Sequence, residues 1–248
     1  MAALLPFRPM DGFYRSEDFF DNEAVADGTI GTLNWEIVTI ANASTYATLV
    51  TTNTVSGRPG ILRHTTAGTA DGDGSVLRLD EDTVVLENKP GSFSFGIRLP
   101  SITGNILSGN DFRIGLGDSV TAADDTVGIW VGSVSGVLTL QADSADGGDT
   151  SQAFNHPDLT SNTTLALGDW MDCVVSWSGT NANGGPKDVL ARASINNGGF
   201  HDAASINTCL IDNDEEMEFH IVQWQLTGGA DTLEQDIDYI DLMIQGRG

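Results

Sequence analysis

The C-terminal run EQDIDYID carries carboxylates at alternate positions, Glu234, Asp236 and Asp238. Alternate side chains of a β-strand project from one face, so these three would lie in line. A second run, DEEMEFH, places Glu216 and Glu218 in the same relation. Two carboxylates on either side of a glycosidic bond are the chemistry of sugar hydrolysis. The alternative is that both runs are solvated strand faces whose opposite faces belong to the core, with Ile237, Tyr239, Met217 and Phe219 inward.

The four histidines do not predict a metal site or a catalytic site. His64, His156, His201 and His220 lie far apart in the sequence. Metal sites built on histidine commonly use closely spaced pairs, so we expect no histidine metal site. No Gly-x-Ser-x-Gly elbow accompanies the histidines, so no nucleophilic serine is predicted. His220 alternates with Phe219 in an apolar run, which predicts a partly buried, hydrogen-bonded ring.

Calcium is the cofactor for which the sequence offers ligands. The segment TADGDGS brings Asp71 and Asp73 into a glycine turn, and calcium prefers such oxygen-rich loops. The distal glutamate of an EF-hand loop is missing at this spacing. The alternative is an ordinary Asp-Gly turn. Asp71 and Asp73 are therefore calcium candidates, and no other cofactor is indicated.

These residues must be positioned by strands. Apolar or alternating runs bounded by Gly, Asn, Asp or Ser recur along the chain and predict β-structure. The predicted strands cover 35–40, 47–51, 60–64, 75–79, 92–99, 112–117, 126–131, 137–142, 170–177, 189–195, 217–226 and 236–244. The nearest helix candidate, SEDFFDNEAVADG, would at most begin a short turn at Ser16. Twelve strands without a helical pattern predict an all-β, two-sheet antiparallel β-sandwich with jelly-roll connections.

Two glycine-rich segments, SGTNANGGPKD and INNGGF, are predicted to be hairpin turns, because Asn and Gly tolerate positive φ. The strand between them and the strand before them are then scaffold. The large apolar side chains of these and neighbouring strands are expected in the core, namely Trp170, Val174, Val175, Trp177, Trp130 and Trp224.

Composition excludes several classes of function. The chain has 35 acidic and 11 basic residues, a net charge of −24, which repels phosphate backbones and argues against nucleic-acid binding. The sequence contains no run of 18 consecutive apolar residues, so no membrane span is predicted. The first residues lack a basic region and a long apolar region, so no signal peptide is predicted. Cys173 and Cys209 are too few for a disulfide framework and are expected to be buried free thiols.

The order of the strands resembles a known superfamily. SFSFGIRL leads to FRIGLGDS, then to GIWVGSVSGVLTLQADSADGG, to the strand opening at Trp170 and to INNGGF, and the chain closes on DIDYIDLMI. This order resembles the concanavalin-A-like lectin/glucanase sandwich, including laminin-G-like modules, over residues 30–245. Glucanase members carry Glu-x-Asp-x-Glu or Glu-x-Asp-x-x-Glu, and neither acidic run has that pattern. The resemblance therefore implies the fold and a non-enzymatic protein.

The segment GRPGILRHTTAGTADGDGSVLRL and the start without a signal peptide also resemble sandwich domains of tailed-phage virion proteins. That resemblance implies a structural protein of the virion. It would be a capsid decoration or cement subunit that stabilises the head lattice, or a tail or fibre component.

Residues 1–30 are predicted to form an irregular N-terminal arm, followed by the sandwich domain at 31–248. The arm holds the aromatic residues Phe7, Phe13, Tyr14, Phe19 and Phe20. It would wrap its own sandwich or reach a neighbouring subunit, and a lattice protein has use for such an arm. The predicted partners are therefore copies of the chain, as a homotrimer, and a major capsid or other virion protein. The alternative function is a carbohydrate-binding, lectin-like module or adhesin that binds a glycan.

Overall fold

The structure is a computed structural model. It describes residues 13–17, 19, 30, 33, 35–40, 44–49, 58, 60–67, 72–79, 84–86, 89–100, 110–118, 127–144, 150–212, 214, 216–225 and 232–245. The regular elements in these ranges are all β-strands. Within them, no helix has the length and apolarity needed to span a bilayer.

The strands, in chain order, are β1 (Phe13–Glu17), β2 (Trp35–Ile40), β3 (Ser44–Leu49), β4 (Leu62–Ala67), β5 (Gly74–Leu79), β6 (Val84–Val85), β7 (Gly91–Arg98), β8 (Asn110–Gly117), β9 (Gly128–Val134), β10 (Val137–Asp143), β11 (Thr150–Ala153), β12 (Trp170–Ser178), β13 (Asp188–Ile195), β14 (His201–Ile206), β15 (Glu216–Gln225) and β16 (Thr232–Ile244). Sheet A has the order β14-β13-β12-β7-β16-β4-β3, and β1 also pairs with β16. Sheet B has the order β11-β10-β9-β8-β15-β5-β2, and β6 also pairs with β15.

The predicted fold class is confirmed. All twelve predicted strands are present with small shifts at their ends, and every pairing is antiparallel. Four further strands were not predicted: β1, β6, β11 and β14. They are two to six residues long, and their short sequences lack the sustained alternation that marks the others.

The core lies between the sheets, where alternate side chains of both sheets interdigitate. Three aromatic rings pack together in it, with Phe93 edge-on to Phe219 at 5.4 Å and tilted against Trp177 at 6.3 Å between ring centroids. Val175 and Trp177 are in this core, as predicted. Both cysteines are free and buried, also as predicted, and burial raises the pKa of each thiol.

Several residues predicted as core lie instead on the outer faces of the sheets. Trp170 is buried on the outer face of sheet A, opposite to Met171 and Cys173, and Val174 shares its side of β12. On sheet B, the Arg113 guanidinium lies between Trp130 and Trp224, 5.2 and 5.5 Å from their rings. Strand alternation alone does not reveal these positions, because arginines cover the rings: Trp130 and Trp170 are buried and Trp224 is half-buried.

Tyr239 was also predicted as core, and this prediction is wrong. The register of β16 against β7 shifts between Ile237 and Ile240, which is a β-bulge. Ile237 and Ile240 both face the core, so the two residues between them stay on the outer side. The Tyr239 ring packs over Gly96, where a β-carbon would lie only 2.9 Å from the ring.

The N-terminal segment joins the sandwich of its own chain at the residues that the structure describes. The strand β1 pairs with β16, and Glu17 lies opposite Ile240. Ser16 is therefore within a strand and does not cap a turn. The Glu17 carboxylate is buried and accepts hydrogen bonds from the backbone N–H groups of Phe19 and Leu33, at 3.0 and 3.1 Å. Phe19 packs against Trp35 in the core. Its ring is therefore already covered, which removes it from the predicted partner surface.

The remaining members of the arm differ in what the structure describes. Tyr14 is exposed. Phe13 lies in β1, but its side chain is outside the described residues, as are Phe7 and Phe20 altogether. The partner-binding role of the arm stays a prediction.

The predicted hairpin turns are present. Asn196 and Asn197 adopt φ of 51° and 62° in INNGGF, and Gly179 and Gly184 adopt φ of 72° and 88° in the other turn. In INNGGF it is the asparagines, and not the glycines, that take the left-handed conformation.

Candidate functional site on the outer face of sheet A

The face of sheet A that points away from sheet B carries many charged and polar side chains. Along β12 the side chains alternate between the core and this outer face, so Asp172 lies outward while Cys173 lies inward. The same alternation on β7 and β16 places Ser94 and Asp241 outward and opposite each other. The outer face divides into two regions of different character.

The first region is the ion-pair cluster. It consists of three arginines and four carboxylates, Arg58, Arg63, Arg98, Asp172, Glu234, Asp236 and Asp238, with Trp170. Asp236 is fully buried and accepts hydrogen bonds from two arginines. Arg63 donates to its two oxygens at 2.7 and 3.0 Å, and Arg98 Nε donates to Oδ2 at 3.0 Å.

Arg58 closes the other side of the cluster. It donates to Asp172 Oδ1 at 2.9 Å and to Asp238 Oδ2 at 2.7 Å. Burial lowers the pKa of Arg58, but these two carboxylates outweigh burial and raise the pKa above its ordinary value. Its guanidinium also lies 4.5 Å from the Trp170 ring, and that of Arg98 lies 5.1 Å from the same ring. Trp170 is therefore buried in contact with two cations.

The cluster accounts for the alternating carboxylates of EQDIDYID. Glu234 pairs with Arg63 at 2.8 Å, Asp236 with Arg63 and Arg98, and Asp238 with Arg58. A glycosidase needs one carboxylic acid and one carboxylate open to the sugar. All three candidates are instead neutralised by arginines, and the central one has no exposed surface. This arrangement is structural.

The second acidic run is also engaged. Glu218 lies 3.5 Å from Arg78, which pairs with Glu36 at 2.6 Å across the outer face of sheet B. Glu216 is exposed at the start of β15. The pair therefore does not form an isolated acid and base.

The second region of the outer face is the tyrosine patch, formed by Tyr14, Asp241 and Ser94 together with Ser92 and Ser176, which are opposite each other on β7 and β12. The Tyr14 hydroxyl donates to Asp241 Oδ1 at 3.3 Å, and Ser94 Oγ donates to Asp241 Oδ2 at 3.3 Å. Tyr14 is 58% exposed, more than any other large apolar or aromatic side chain that the structure describes. The exposed Tyr14 ring, tethered through its hydroxyl to a carboxylate that a serine hydroxyl also contacts, is open to a ligand.

A buried serine–histidine contact lies behind the ion-pair cluster, on the core side of β4. Ser75 Oγ and His64 Nε2 are 2.7 Å apart, and Thr66 and Gln223 are hydrogen-bonded to each other at 2.6 Å beside them. His64 and Ser75 have no exposed surface, so a substrate cannot reach them. Burial lowers the pKa of His64 to about 4 and keeps the ring neutral.

The other predicted sites have mixed outcomes. Asp73 is buried just before β5, and Asp71 lies outside the described residues, so calcium binding there stays a prediction. His220 is fully buried. The histidines are far apart in the sequence, but the fold brings one pair together, with the rings of His156 and His201 5.0 Å apart between centroids.

Comparison with known proteins identifies the fold. A protein of unknown function from Shewanella oneidensis MR-1 matches with a TM-score of 0.64 at 12% identity, over 96% of this chain and 88% of that one. Lectin I from Ulex europaeus, solved with the methyl glycoside of α-L-fucose, matches with a TM-score of 0.58 at 10% identity, over 95% and 98%. The chain has the concanavalin-A-like sandwich fold.

A third similar structure of this fold is lectin UEA-II complexed with galactose, with a TM-score of 0.55 at 12% identity, over 95% of this chain and 99% of that one. No protein-family model matches the chain, and no curated protein matches it. At these identities the likeness defines the fold alone.

Sequence reasoning missed both regions of the outer face. Arg58, Arg63 and Arg98 are separated from Asp236 by well over a hundred residues, and only the sheet topology brings them together. Tyr14 was predicted, but as a partner contact of an irregular arm. The signal that would have placed it is the pairing of β1 with β16, and five residues of weak alternation do not show that pairing.

Proposed function

We propose that the protein is a non-enzymatic carbohydrate-binding module that binds a glycan at the tyrosine patch. The observation that carries the proposal is the exposed Tyr14 ring, tethered at 3.3 Å to the Asp241 carboxylate on the outer face of sheet A. Binding sites for small ligands combine an apolar or aromatic surface with a few fixed polar groups. The tyrosine patch has this composition.

Each part of the patch has a role in binding a sugar. The face of the Tyr14 ring stacks against the C–H face of a pyranose, which removes apolar surface from water. The carboxylate oxygens of Asp241 accept hydrogen bonds from sugar hydroxyls, and charged acceptors make the stronger hydrogen bonds. Ser94 fixes the carboxylate from the other side.

The negative charge of the protein limits the class of glycan that we expect to bind. The chain carries a net charge of −24, and the patch itself contains a carboxylate without an arginine partner among its hydrogen bonds. An anionic sugar would be repelled by this field. We therefore expect a neutral or amino sugar.

The similar structures support the proposal at the level of fold. Two of them are lectins solved with a fucoside and with galactose, on the same sandwich. No observation on the described residues favours the virion assignment over glycan binding. The homotrimer and the capsid partner remain predictions.

A glycan array with the whole protein, followed by calorimetry on the best ligand, tests the proposal. Tyr14→Ala is expected to weaken binding about tenfold, in line with the roughly 0.5–1.5 kcal/mol of an aromatic contact beyond its buried area. Asp241→Asn is expected to weaken it further. Asp202→Asn, an exposed carboxylate on β14, is the matched control and should bind as the parent does.

Two outcomes would contradict the proposal. If no neutral or amino sugar binds, the function is wrong. If a sugar binds equally well to the parent and to both patch variants, the site is wrong. Light scattering adds a discriminating result, because a trimer held through Tyr14 would cover the ring, whereas an open patch agrees with a particle near 26.2 kDa.

A further inference from the structure

Three potential metal ligands meet at one edge of the sandwich, where β14 and the segment after β11 come together, apart from the outer face of sheet A. His156 and Asp158 belong to the connection between β11 and β12, and His201 opens β14. One donor atom from each of the three residues lies within 4.8 Å of the other two. This is the sole group of three such residues that the described ranges contain.

The surroundings of His156 orient its ring for coordination. Its Nε2–H donates to the Ala193 carbonyl at 3.0 Å, which fixes the tautomer and leaves the lone pair on Nδ1. Metal-binding histidines commonly donate their second nitrogen to a carbonyl or carboxylate in this way. Nδ1 accepts the Asp158 backbone N–H at 3.2 Å, at the long end of the usual range, and an ion at Nδ1 would replace this contact.

The other two ligands have room to move. Asp158 and His201 are exposed, whereas His156 is fully buried. The ligands of a tetrahedral zinc ion, at about 2.0–2.1 Å, lie roughly 3.4 Å apart, so the two exposed side chains need to approach His156 by about an ångström. The neighbouring turn does not obstruct them, because Gly198 and Gly199 present no side chains towards Asp158 Oδ2 and His201 Nε2.

We propose that His156, Asp158 and His201 bind a late first-row transition-metal ion, with Zn²⁺ the best fit. Two imidazoles and one carboxylate suit zinc, whereas calcium and magnesium prefer an all-oxygen set. Three protein ligands leave a fourth position for water. The ion joins β14, the edge strand of sheet A, to the segment that follows β11, the edge strand of sheet B. The Asn155 N–H already donates to the Ala203 carbonyl at 2.8 Å across this junction.

The test is calorimetric titration of ZnCl₂ into the whole protein after any purification tag has been removed, with Co²⁺ absorption as a report on geometry. One Zn²⁺ per chain is expected, together with the intense visible bands of tetrahedral Co²⁺. His201→Ala and Asp158→Ala are each expected to weaken Zn²⁺ binding by at least the roughly 10–100-fold lost on removing an outer partner of a ligand. Both residues are exposed, so both variants should fold.

Asp202→Asn is the control, because it removes a neighbouring exposed carboxylate that is not a ligand. It should leave the Zn²⁺ affinity unchanged. The midpoint of thermal unfolding should rise with Zn²⁺ in the parent and in Asp202→Asn, and not in His201→Ala. Equal Zn²⁺ binding by the parent and both ligand variants would overturn the proposal, as would displacement of Zn²⁺ by a modest excess of Ca²⁺.

Discussion

The ion-pair cluster and the tyrosine patch on the outer face of sheet A both contain aspartates of the same strand, but the surroundings of these aspartates differ. In the ion-pair cluster, four carboxylates meet three arginines, and Asp236 loses all contact with solvent. In the tyrosine patch, Asp241 on the same strand is bonded only to hydroxyl groups among its hydrogen bonds, beside a ring that is 58% exposed. Whether a strand carboxylate is structural or available to a ligand is thus decided by the arginines that other parts of the chain bring to it.

The largest expected difference between the regions is in stability. Asp236→Asn removes a fully buried carboxylate from the partly buried Arg63 and Arg98, and breaking a buried pair costs about 3–5 kcal/mol of unfolding free energy. Asp241→Asn should change the free energy by less than about 1 kcal/mol, because its partners are neutral and partly solvated. Urea denaturation of both variants checks this contrast. Equal losses would mean that the two regions do not differ in kind.

The second prediction concerns His64, on the core side of the strand that carries Arg63. Burial lowers its pKa from 6.5 to about 4. The unfolded chain takes up this proton near pH 6.5 and the folded chain only near pH 4, so stability falls as the pH falls through that window. The total loss from this group is about 3 kcal/mol.

His64→Gln keeps a hydrogen-bonding group near Ser75 and does not titrate, so it should remove this pH dependence. The comparison must be a difference between variant and parent, because burial raises the pKa of Asp111 to about 6, which contributes with the opposite sign in the same range. Identical pH profiles for the two proteins would show that water reaches His64.

Arg58→Lys is expected to have a smaller effect. Lysine keeps the charge but loses the paired contacts to Asp172 and the guanidinium contact with the Trp170 ring. We expect a loss of about 1–2 kcal/mol, consistent with a desolvated cation–π contact. The same change should alter the Trp170 fluorescence. An unperturbed spectrum with unchanged stability would indicate that Arg58 does not cover the ring.

The smallest expected effect is that of Tyr14→Phe. The side chain is exposed and its tether is a long hydrogen bond, so stability should stay within about 0.5 kcal/mol. Sugar binding should fall less than in Tyr14→Ala, because the stacking face remains. Binding as weak as that of Tyr14→Ala would instead assign the hydroxyl, and not the ring, as the main contact.

Prediction from the sequence was most accurate for three strands that each have one apolar and one polar side. The strands β7, β12 and β13 were predicted within one residue of their ends. It failed where another element decides the outcome. Trp170 has the same apolar character as Trp177, yet the former lies under arginines on the outer face and the latter lies in the core between the sheets.

The candidate sites were less predictable than the fold, for a physical reason. His156 and His201 are 45 positions apart, and only the contact between the two sheet edges unites them. The prediction for Tyr239 was wrong because of a bulge, since one shift of register reverses the direction of every later side chain. Acidic residues at alternate positions were visible, but the arginines that neutralise them were not.

The positions of β15 and β16 have a consequence for how the chain folds. They are the last two strands that the structure describes, and each joins two groups of earlier strands in its own sheet. In sheet A, β16 connects β7 to β4, and in sheet B, β15 connects β8 to β5. Until they are synthesised, each sheet is two separate halves with open edges, and pairings such as Leu62 with Ile237 close loops of more than 170 residues. Such non-local topology slows folding. The nascent protein therefore exposes unpaired strands for most of its synthesis, and its yield should depend on chaperones that protect those edges.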